Sequence, residues 1–181
     1  SAETLVRNPK AVKDNRLQTV PEDEPLGAQL VGCDPAFMGE AAAKIEAMGF
    51  ALVDLNLGCP VPKVVAKGGG SLLLKEPAAC EQIFARVVKS VRRVPVTVKM
   101  RLGFSDENGD EAIRIAKIAE GCGVNALAVH GRTRVQGYSG NANYESIRRV
   151  KAAVRIPVFG NGDVVDGASA RRLMETSGCD G

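Results

Sequence analysis

The chain has 181 residues, of which 45% are hydrophobic, and its 24 Lys and Arg against 21 Asp and Glu give a net charge of +3. This composition is typical of one soluble domain or part of one, and the charge is too small to indicate a nucleic-acid partner without a local basic patch. Five cysteines with a single histidine and no C-x-x-C pair argue against a disulfide framework or a zinc site, so no metal is expected. Without a membrane-length apolar run or a signal-peptide pattern, the sequence favours a soluble protein of the cytoplasm.

The first part of the chain, residues 1–24, is polar and contains Pro9, Pro21 and the charged cluster 22–24. This pattern predicts a short helix and a turn ahead of the core. Because the chain opens on Ser1 without an initiator methionine, we expect it to have been trimmed.

From residue 25 onward, apolar runs alternate with helical patterns. Strands are predicted at 26–31, 51–56, 96–100, 127–130 and 158–159. Helices are predicted at 36–48, 76–92, 110–120, 144–154 and 166–176, the first of them capped by Asp34 with Pro35 in its first turn. The strands look uniformly apolar, which predicts parallel strands covered by helices and too buried to be half-exposed.

About five consecutive β-α units of this kind fit either an open doubly wound sheet or a (β/α)8 barrel. The dinucleotide fingerprint G-x-G-x-x-G is missing, and polar residues follow many strands instead of clustering at one switch point. We therefore predict an α/β fold of the (β/α)8 TIM-barrel type. A complete barrel needs eight strands, so residues 25–181 are expected to be an incomplete barrel, in which 179–181 lead into a further strand.

Each predicted strand ends in residues that can hydrogen-bond a ligand. In chain order they are Gln29; Asn56 and Cys59; Lys99 and Arg101; His130, Arg132 and Arg134; and Asn161, Gly162 and Asp163. The carboxyl ends of parallel barrel strands meet at one edge, where active sites form. The sequence therefore predicts a ligand site there, with the glycine-rich tip 160–163 close to a phosphate.

Cys59 is the first candidate for chemistry at this edge. Most free cysteines are small buried hydrophobes. Here, however, the apolar strand stops at Gly58 and Pro60, and no apolar run continues past the cysteine. This placement favours a reactive role over a packing role.

The loop 67–71, Lys-Gly-Gly-Gly-Ser, does not match a phosphate-binding P-loop, because its lysine precedes the glycines and no strand leads directly into them. The glycines are instead expected to let the loop bend beside Cys59, with Ser71 capping a short helix through Leu74. Five cations are predicted to form a basic rim around the site: Lys63, Lys67, Arg101, Arg132 and Arg134.

Five short motifs resemble the tRNA-dihydrouridine synthases in order and spacing. They are residues 54–63 (DLNLGCPVPK), 68–74 (GGGSLLL), 96–103 (VTVKMRLG), 129–133 (VHGRT) and 160–163 (GNGD). The resemblance covers residues 25–181. It implies a flavoprotein, bacterial in type, in which FMN is reduced by NADPH and uridines of tRNA are then reduced to 5,6-dihydrouridine.

The resemblance also assigns roles to individual residues. It implies FMN contacts at Gln29, Lys99, His130, Asn161, Gly162 and Asp163, and substrate contacts at Asn56, Arg101 and Arg132. Cys59 is the implied general acid. Hydride addition at uracil C6 develops negative charge at C5 and O4, and a thiol is mostly protonated at neutral pH, so it can supply the proton that C5 needs.

Relative to the family, the chain is expected to lack the first barrel strand, the last strand with its phosphate clamp, and the C-terminal helical tRNA-binding domain. One alternative is a flavin oxidoreductase of the dihydroorotate dehydrogenase type acting on a free pyrimidine, against which loop 68–74 and motif 130–133 count. A second is a non-catalytic RNA-binding relic, which the intact Cys59, Lys99 and His130 disfavour. No obligate protein partner is inferred.

Overall fold

The computed structural model describes residues 1–8, 17 and 20–181. Helix α1, Ala2–Arg7, and a 3-10 helix at Pro21–Asp23 precede the sheet, which agrees with the predicted short helix and turn. The rest of that predicted segment, including Pro9, lies outside the described residues.

Within the described ranges, five strands form one parallel sheet. They are β1 Gly27–Leu30, β2 Leu52–Leu57, β3 Val96–Arg101, β4 Ala126–His130 and β5 Val158–Asn161. Their order in the sheet is the order in the chain, and each neighbouring pair is parallel. A doubly wound sheet reverses its strand order at a switch point, whereas a barrel adds each strand on the same side. The chain is therefore a partial (β/α)8 barrel, as predicted.

Six helices follow the sheet strands in the described part of the chain. They are α2 Pro35–Ala47, α3 Pro62–Val65, α4 Pro77–Ser90, α5 Asp110–Gly121, α6 Tyr144–Ala152 and α7 Gly167–Ser177. Helix α2 begins as predicted, because Oδ1 of Asp34 accepts a hydrogen bond of 3.0 Å from the main-chain N–H of Phe37. None of these described helices is long and apolar enough to cross a membrane.

The two faces of the sheet differ in chemistry. One face is buried against the helices and is apolar, with Val53, Leu55, Val98 and Leu127 fully buried. The other face is only partly covered and carries polar side chains: Gln29, Asp54, Asn56, Thr97, Lys99, His130 and Asn161. The prediction of strands too apolar to be half-exposed was therefore wrong, because alternate side chains point away from the helices and form a polar inner face.

The loop after β2 contains a second departure from prediction. Residues Gly70–Lys75 form a 3-10 helix whose N-cap is Gly69, without a side-chain capping bond. Ser71 lies inside this helix, and its buried hydroxyl has no hydrogen-bond partner among the residues that the structure describes. The prediction that Ser71 caps the helix was wrong, because the helix begins two residues earlier than the capping pattern requires.

The last residues lie alongside β5. The main-chain N–H of Asp180 donates to the carbonyl of Val158 at 2.8 Å, and that of Gly160 donates to the carbonyl of Gly181 at 2.7 Å. This segment therefore occupies the position that the next strand takes in a barrel.

Candidate active site

A chain of side-chain hydrogen bonds crosses the inner face of β1, β2 and β3. Nε2 of Gln29 donates to Oδ2 of Asp54 at 2.6 Å, and Oγ1 of Thr97 donates to Oδ1 of the same carboxylate at 2.6 Å. Nδ2 of Asn56 donates to Oε1 of Gln29 at 2.6 Å. The predicted site residues Gln29 and Asn56 are thus in direct contact, and Asp54, which the sequence analysis did not select, fixes the orientation of the Gln29 amide.

Cys59 is held by its main chain from two sides. The Oδ1 atom of Asn56 accepts hydrogen bonds from the N–H groups of Gly58 (3.3 Å) and Cys59 (2.9 Å). The carbonyl of Cys59 accepts a hydrogen bond of 3.0 Å from the N–H of Ser71. The thiol is free and half-buried, so the protein presents it at the strand tip in a defined position.

Lys99 lies across from Asn56 in the β2–β3 register, on the same inner face. Burial lowers the pKa of its ammonium group, and the nearby charge of Arg101 lowers it further, while Asp54 opposes the shift. Among the described residues, no carboxylate lies within salt-bridge distance of Lys99. A half-buried ammonium group in this state is suited to an anionic or electron-rich ligand.

Arg101 points into the protein rather than into solvent, with 4% of its surface exposed. Its Nε donates to the carbonyl of Gly58 at 3.0 Å, and its Nη1 donates to the carbonyls of Thr133 (3.0 Å) and Gly137 (2.8 Å). Most of the Arg101 side chain is thus directed into the protein, whereas the sequence predicted it in a basic rim around the site. The side chain instead ties the loop before Cys59 to the loop after β4, and its substrate contact stays a prediction.

Arg132 is also removed from the rim, with 6% of its surface exposed. Its Nη1 lies 2.8 Å from Oδ1 of Asp163, and its Nη2 donates to Oδ2 of the same carboxylate at 3.0 Å. Further bonds run from Arg132 to the carbonyls of Ser139 and Gly140, while Asp163 also accepts from the N–H of Ala142 at 2.7 Å. The Arg132–Asp163 pair therefore joins the loops after β4 and β5. The ligand contacts predicted for both residues stay predictions.

His130 ends β4 inside this positively charged surrounding. Burial and then the charges of Arg101, Lys99 and Arg132 lower its pKa to about 4. The imidazole is therefore neutral at physiological pH and can both donate and accept a hydrogen bond. Its ring centroid lies 6.2 Å from that of Tyr138 in an edge-on arrangement.

Tyr138 is a mouth residue that the sequence analysis missed. It is 79% exposed, and its ring lies 5.6 Å from the guanidinium carbon of Arg101. The sequence did contain a signal for Tyr138. An aromatic residue stands between Gly137 and Ser139, in a loop that follows a strand and has no apolar run that would bury the ring.

The glycine-rich tip after β5 is explained by packing within the chain. A Cβ atom on Gly160 would lie 2.5 Å from Cδ2 of Leu173, and one on Gly162 would lie 2.7 Å from Cβ of Ala142. Gly162 also has φ +130°, which favours glycine. Asn161 is exposed at the same edge, and the role of residues 161–163 in holding a cofactor phosphate stays a prediction.

Over most of its length the chain is similar to bacterial proteins that are named tRNA-dihydrouridine synthases. It is 49% identical over 161 residues to a probable tRNA-dihydrouridine synthase of Rickettsia prowazekii, covering 88% of this chain and 49% of the relative. It is 46% identical over 159 residues to tRNA-dihydrouridine synthase B of Pseudomonas aeruginosa, covering 88% and 47%. The chain thus spans about half the length of the curated relatives it matches.

Solved structures resemble the chain in fold alone. An isomerase from Streptomyces coelicolor A3(2) matches with a TM-score of 0.55 and 20% sequence identity, over 86% of this chain and 38% of that one. A family model, by contrast, covers residues 1–181 in full, and its description is Dihydrouridine synthase (Dus). The chain belongs to the dihydrouridine synthase family.

Proposed function

We propose that this chain forms catalytic machinery of an FMN-dependent tRNA-dihydrouridine synthase that reduces the C5=C6 bond of tRNA uridines with NADPH. The observation that carries the proposal is the placement of Cys59, which Asn56 and Ser71 hold by its main chain at the strand edge that Lys99 also faces. The names of the relatives support the reaction and its tRNA substrate. The same reaction class makes the cytoplasm the proposed compartment.

The inner face fits a flavin ring. Lys99 offers a half-buried ammonium group that has no salt bridge among the described residues, and Gln29 offers an oriented amide beside it. His130, neutral because of its lowered pKa, offers a further donor or acceptor. These three residues would hold FMN, which, when bound, supplies a hydride to C6 of the uracil. Positive charge from Lys99 would favour the electron-rich state of the ring.

The proton for C5 comes from Cys59 in this proposal. As a hydride and its electron pair reach C6, the electrons of the C5=C6 bond move toward C5 and O4 of the base. The thiol of Cys59 gives its proton to C5, which completes the C–H bond, and the resulting thiolate regains a proton from solvent. Asn56 would orient the uracil beside the thiol, because its amide lies three residues before Cys59 and is bonded to the same turn.

Replacement of Cys59 by alanine tests the proposal in the complete gene product. We expect Cys59→Ala to retain bound FMN and its reduction by NADPH, but to form dihydrouridine about 100- to 10,000-fold more slowly in an unmodified tRNA transcript. Cys122→Ala is the matched control, since Cys122 is also free and half-buried but caps the far end of α5. Product formation by Cys59→Ala within tenfold of the wild type would contradict the assigned acid. Turnover of free dihydroorotate in place of tRNA would contradict the substrate.

A further inference from the structure

Two positively charged side chains lie against the ring of Phe104. Nζ of Lys75 lies 5.0 Å from the ring centroid, and the guanidinium carbon of Arg134 also lies 5.0 Å from it. Both distances are within the range of cation–π attraction. Because Nζ of Lys75 and the guanidinium carbon of Arg134 are both near the same ring centroid, the distance between these two atoms is at most twice 5.0 Å.

These three residues come from three loops at the edge that bears Cys59. Lys75 ends the 3-10 helix after β2, Phe104 lies in the loop after β3, and Arg134 lies in the loop after β4. The last two loops are joined by main-chain hydrogen bonds of 2.9 Å, from Arg134 to Gly103 and from Val135 to Phe104. The cluster is therefore positioned by backbone pairing and does not depend on flexible side chains alone.

The positive charge of this cluster is not neutralised by the protein. In the part of the chain that the structure describes, neither Lys75 nor Arg134 has a carboxylate within 4 Å, and the Nε atom of Arg134 is buried without a hydrogen-bond partner. Glu111 approaches the same loop, but its Oε2 accepts from the main-chain N–H of Phe104. Two cations held against one ring without a counter-charge form an arrangement that an anion stabilises.

We propose that Lys75, Phe104 and Arg134 form a binding site for a backbone phosphate of the substrate RNA, an inference that rests on the proposed function. Arg101 and Arg132 are less suited to this purpose, because most of their N–H groups are bonded inside the protein. Phe104 lies against both cations at the mouth, so the backbone of one RNA strand that runs past the ring would meet both charges. A flipped uridine near Cys59 needs its flanking backbone anchored outside the pocket, and this cluster supplies such an anchor.

Binding of an unmodified tRNA transcript to the complete gene product, measured over a salt series, tests the site. We expect Lys75→Gln and Arg134→Gln each to lower affinity about tenfold at low salt, the loss of one charge-assisted contact. Each should also reduce the slope of log affinity against log salt by about 1. Lys89→Gln is the matched control, because Lys89 is an exposed lysine in the last turn of α4, at the opposite edge of the sheet.

The salt slope of Arg134→Lys and dihydrouridine formation by the wild type are measured in parallel. Arg134→Lys retains the charge and should keep the wild-type salt slope, which separates loss of a phosphate contact from a folding defect. Suppose that the wild-type protein binds tRNA and forms dihydrouridine, and that Lys75→Gln and Arg134→Gln keep the wild-type affinity and salt slope. The phosphate site would then be overturned, while the proposed function would stand. If the wild type forms no dihydrouridine and binds no tRNA, the proposed function fails together with the inference.

Discussion

The cations at the barrel mouth have different roles because they are buried to different extents. Arg101 and Arg132 are almost fully buried, and main-chain carbonyls or Asp163 occupy most of their N–H groups. Removing a partner from such a network leaves buried polar groups unsatisfied. Lys99 is half-buried without such partners among the described residues. The first two therefore organise the loops, and Lys99 remains available to a ligand.

The pKa of His130 gives a prediction at this scale. It falls from 6.5 to about 4 on folding, because burial and the charges of Arg101, Lys99 and Arg132 disfavour the imidazolium ion, with Asp163 opposing. The unfolded chain therefore binds more protons than the folded chain between these two values, and stability rises with pH across that window. We expect the native protein to lose stability as pH falls from 6.5 toward 4, and His130→Gln to lose less.

The titration of the imidazole C2 proton, followed by NMR in the complete gene product, checks this directly. The His130 resonance is identified as the one that disappears in His130→Gln. The midpoint of its titration should lie near the lowered pKa of about 4. A midpoint near 6.5 would show that the imidazole is solvated and that its neighbours do not act on it as the structure indicates.

At the scale of elements, the glycines at the start of the 3-10 helix set the position of Cys59. Gly70 has φ +60°, and a Cβ atom there would lie 2.6 Å from the Cys59 carbonyl oxygen. Gly69 has φ −103°, and a Cβ atom there would meet nothing nearer than 3.6 Å. Two adjacent glycines thus differ sharply in how a methyl group would affect the active-site turn.

We therefore expect Gly70→Ala to displace the Cys59 turn and to slow dihydrouridine formation about 100-fold, as misplacement of a reacting group by about 1 Å does. Flavin reduction by NADPH should be unchanged, since Gly70 lies against Cys59 rather than Lys99. Gly69→Ala is the control and should behave as wild type in both half-reactions. Equal rates of product formation in the two variants, with both folded by thermal melting, would refute a positioning role for Gly70.

Elements were more predictable from sequence than loops. For each of the five strands and the five predicted helices, the predicted first and last residues lie within two residues of the observed ones. Capping residues such as Asp34 and apolar periodicity act locally, so the sequence alone reveals them. The roles of Arg101 and Arg132 could not be predicted in this way. Whether an arginine at a strand end faces solvent or bonds to a carbonyl 32 residues away, as Arg101 does with Thr133, depends on how separate loops pack.

At the scale of the whole molecule, strand order decided the architecture. Sequence indicated parallel β-α units, but only the pairing of β1 through β5 in chain order excludes the doubly wound alternative. The strands alternate between buried and half-exposed residues, although the sequence analysis predicted uniformly buried strands. This alternation follows from the same architecture. The inner face of the sheet is not covered by the helices, and so it carries polar side chains.

The last prediction concerns the polypeptide of residues 1–181 expressed alone. Within the described sheet, β1 pairs with one strand, and the outer edge of β5 is covered only by the short segment 180–181. Other chains can therefore pair at the β1 edge and, once that segment is displaced, at β5. The inner face also leaves Phe159 46% exposed. We expect this polypeptide to self-associate in sedimentation experiments as its concentration rises, and to retain little FMN after gel filtration. The complete gene product, measured in parallel, is the control. A monodisperse monomer with stoichiometric flavin would show that five strands suffice for a closed and functional site.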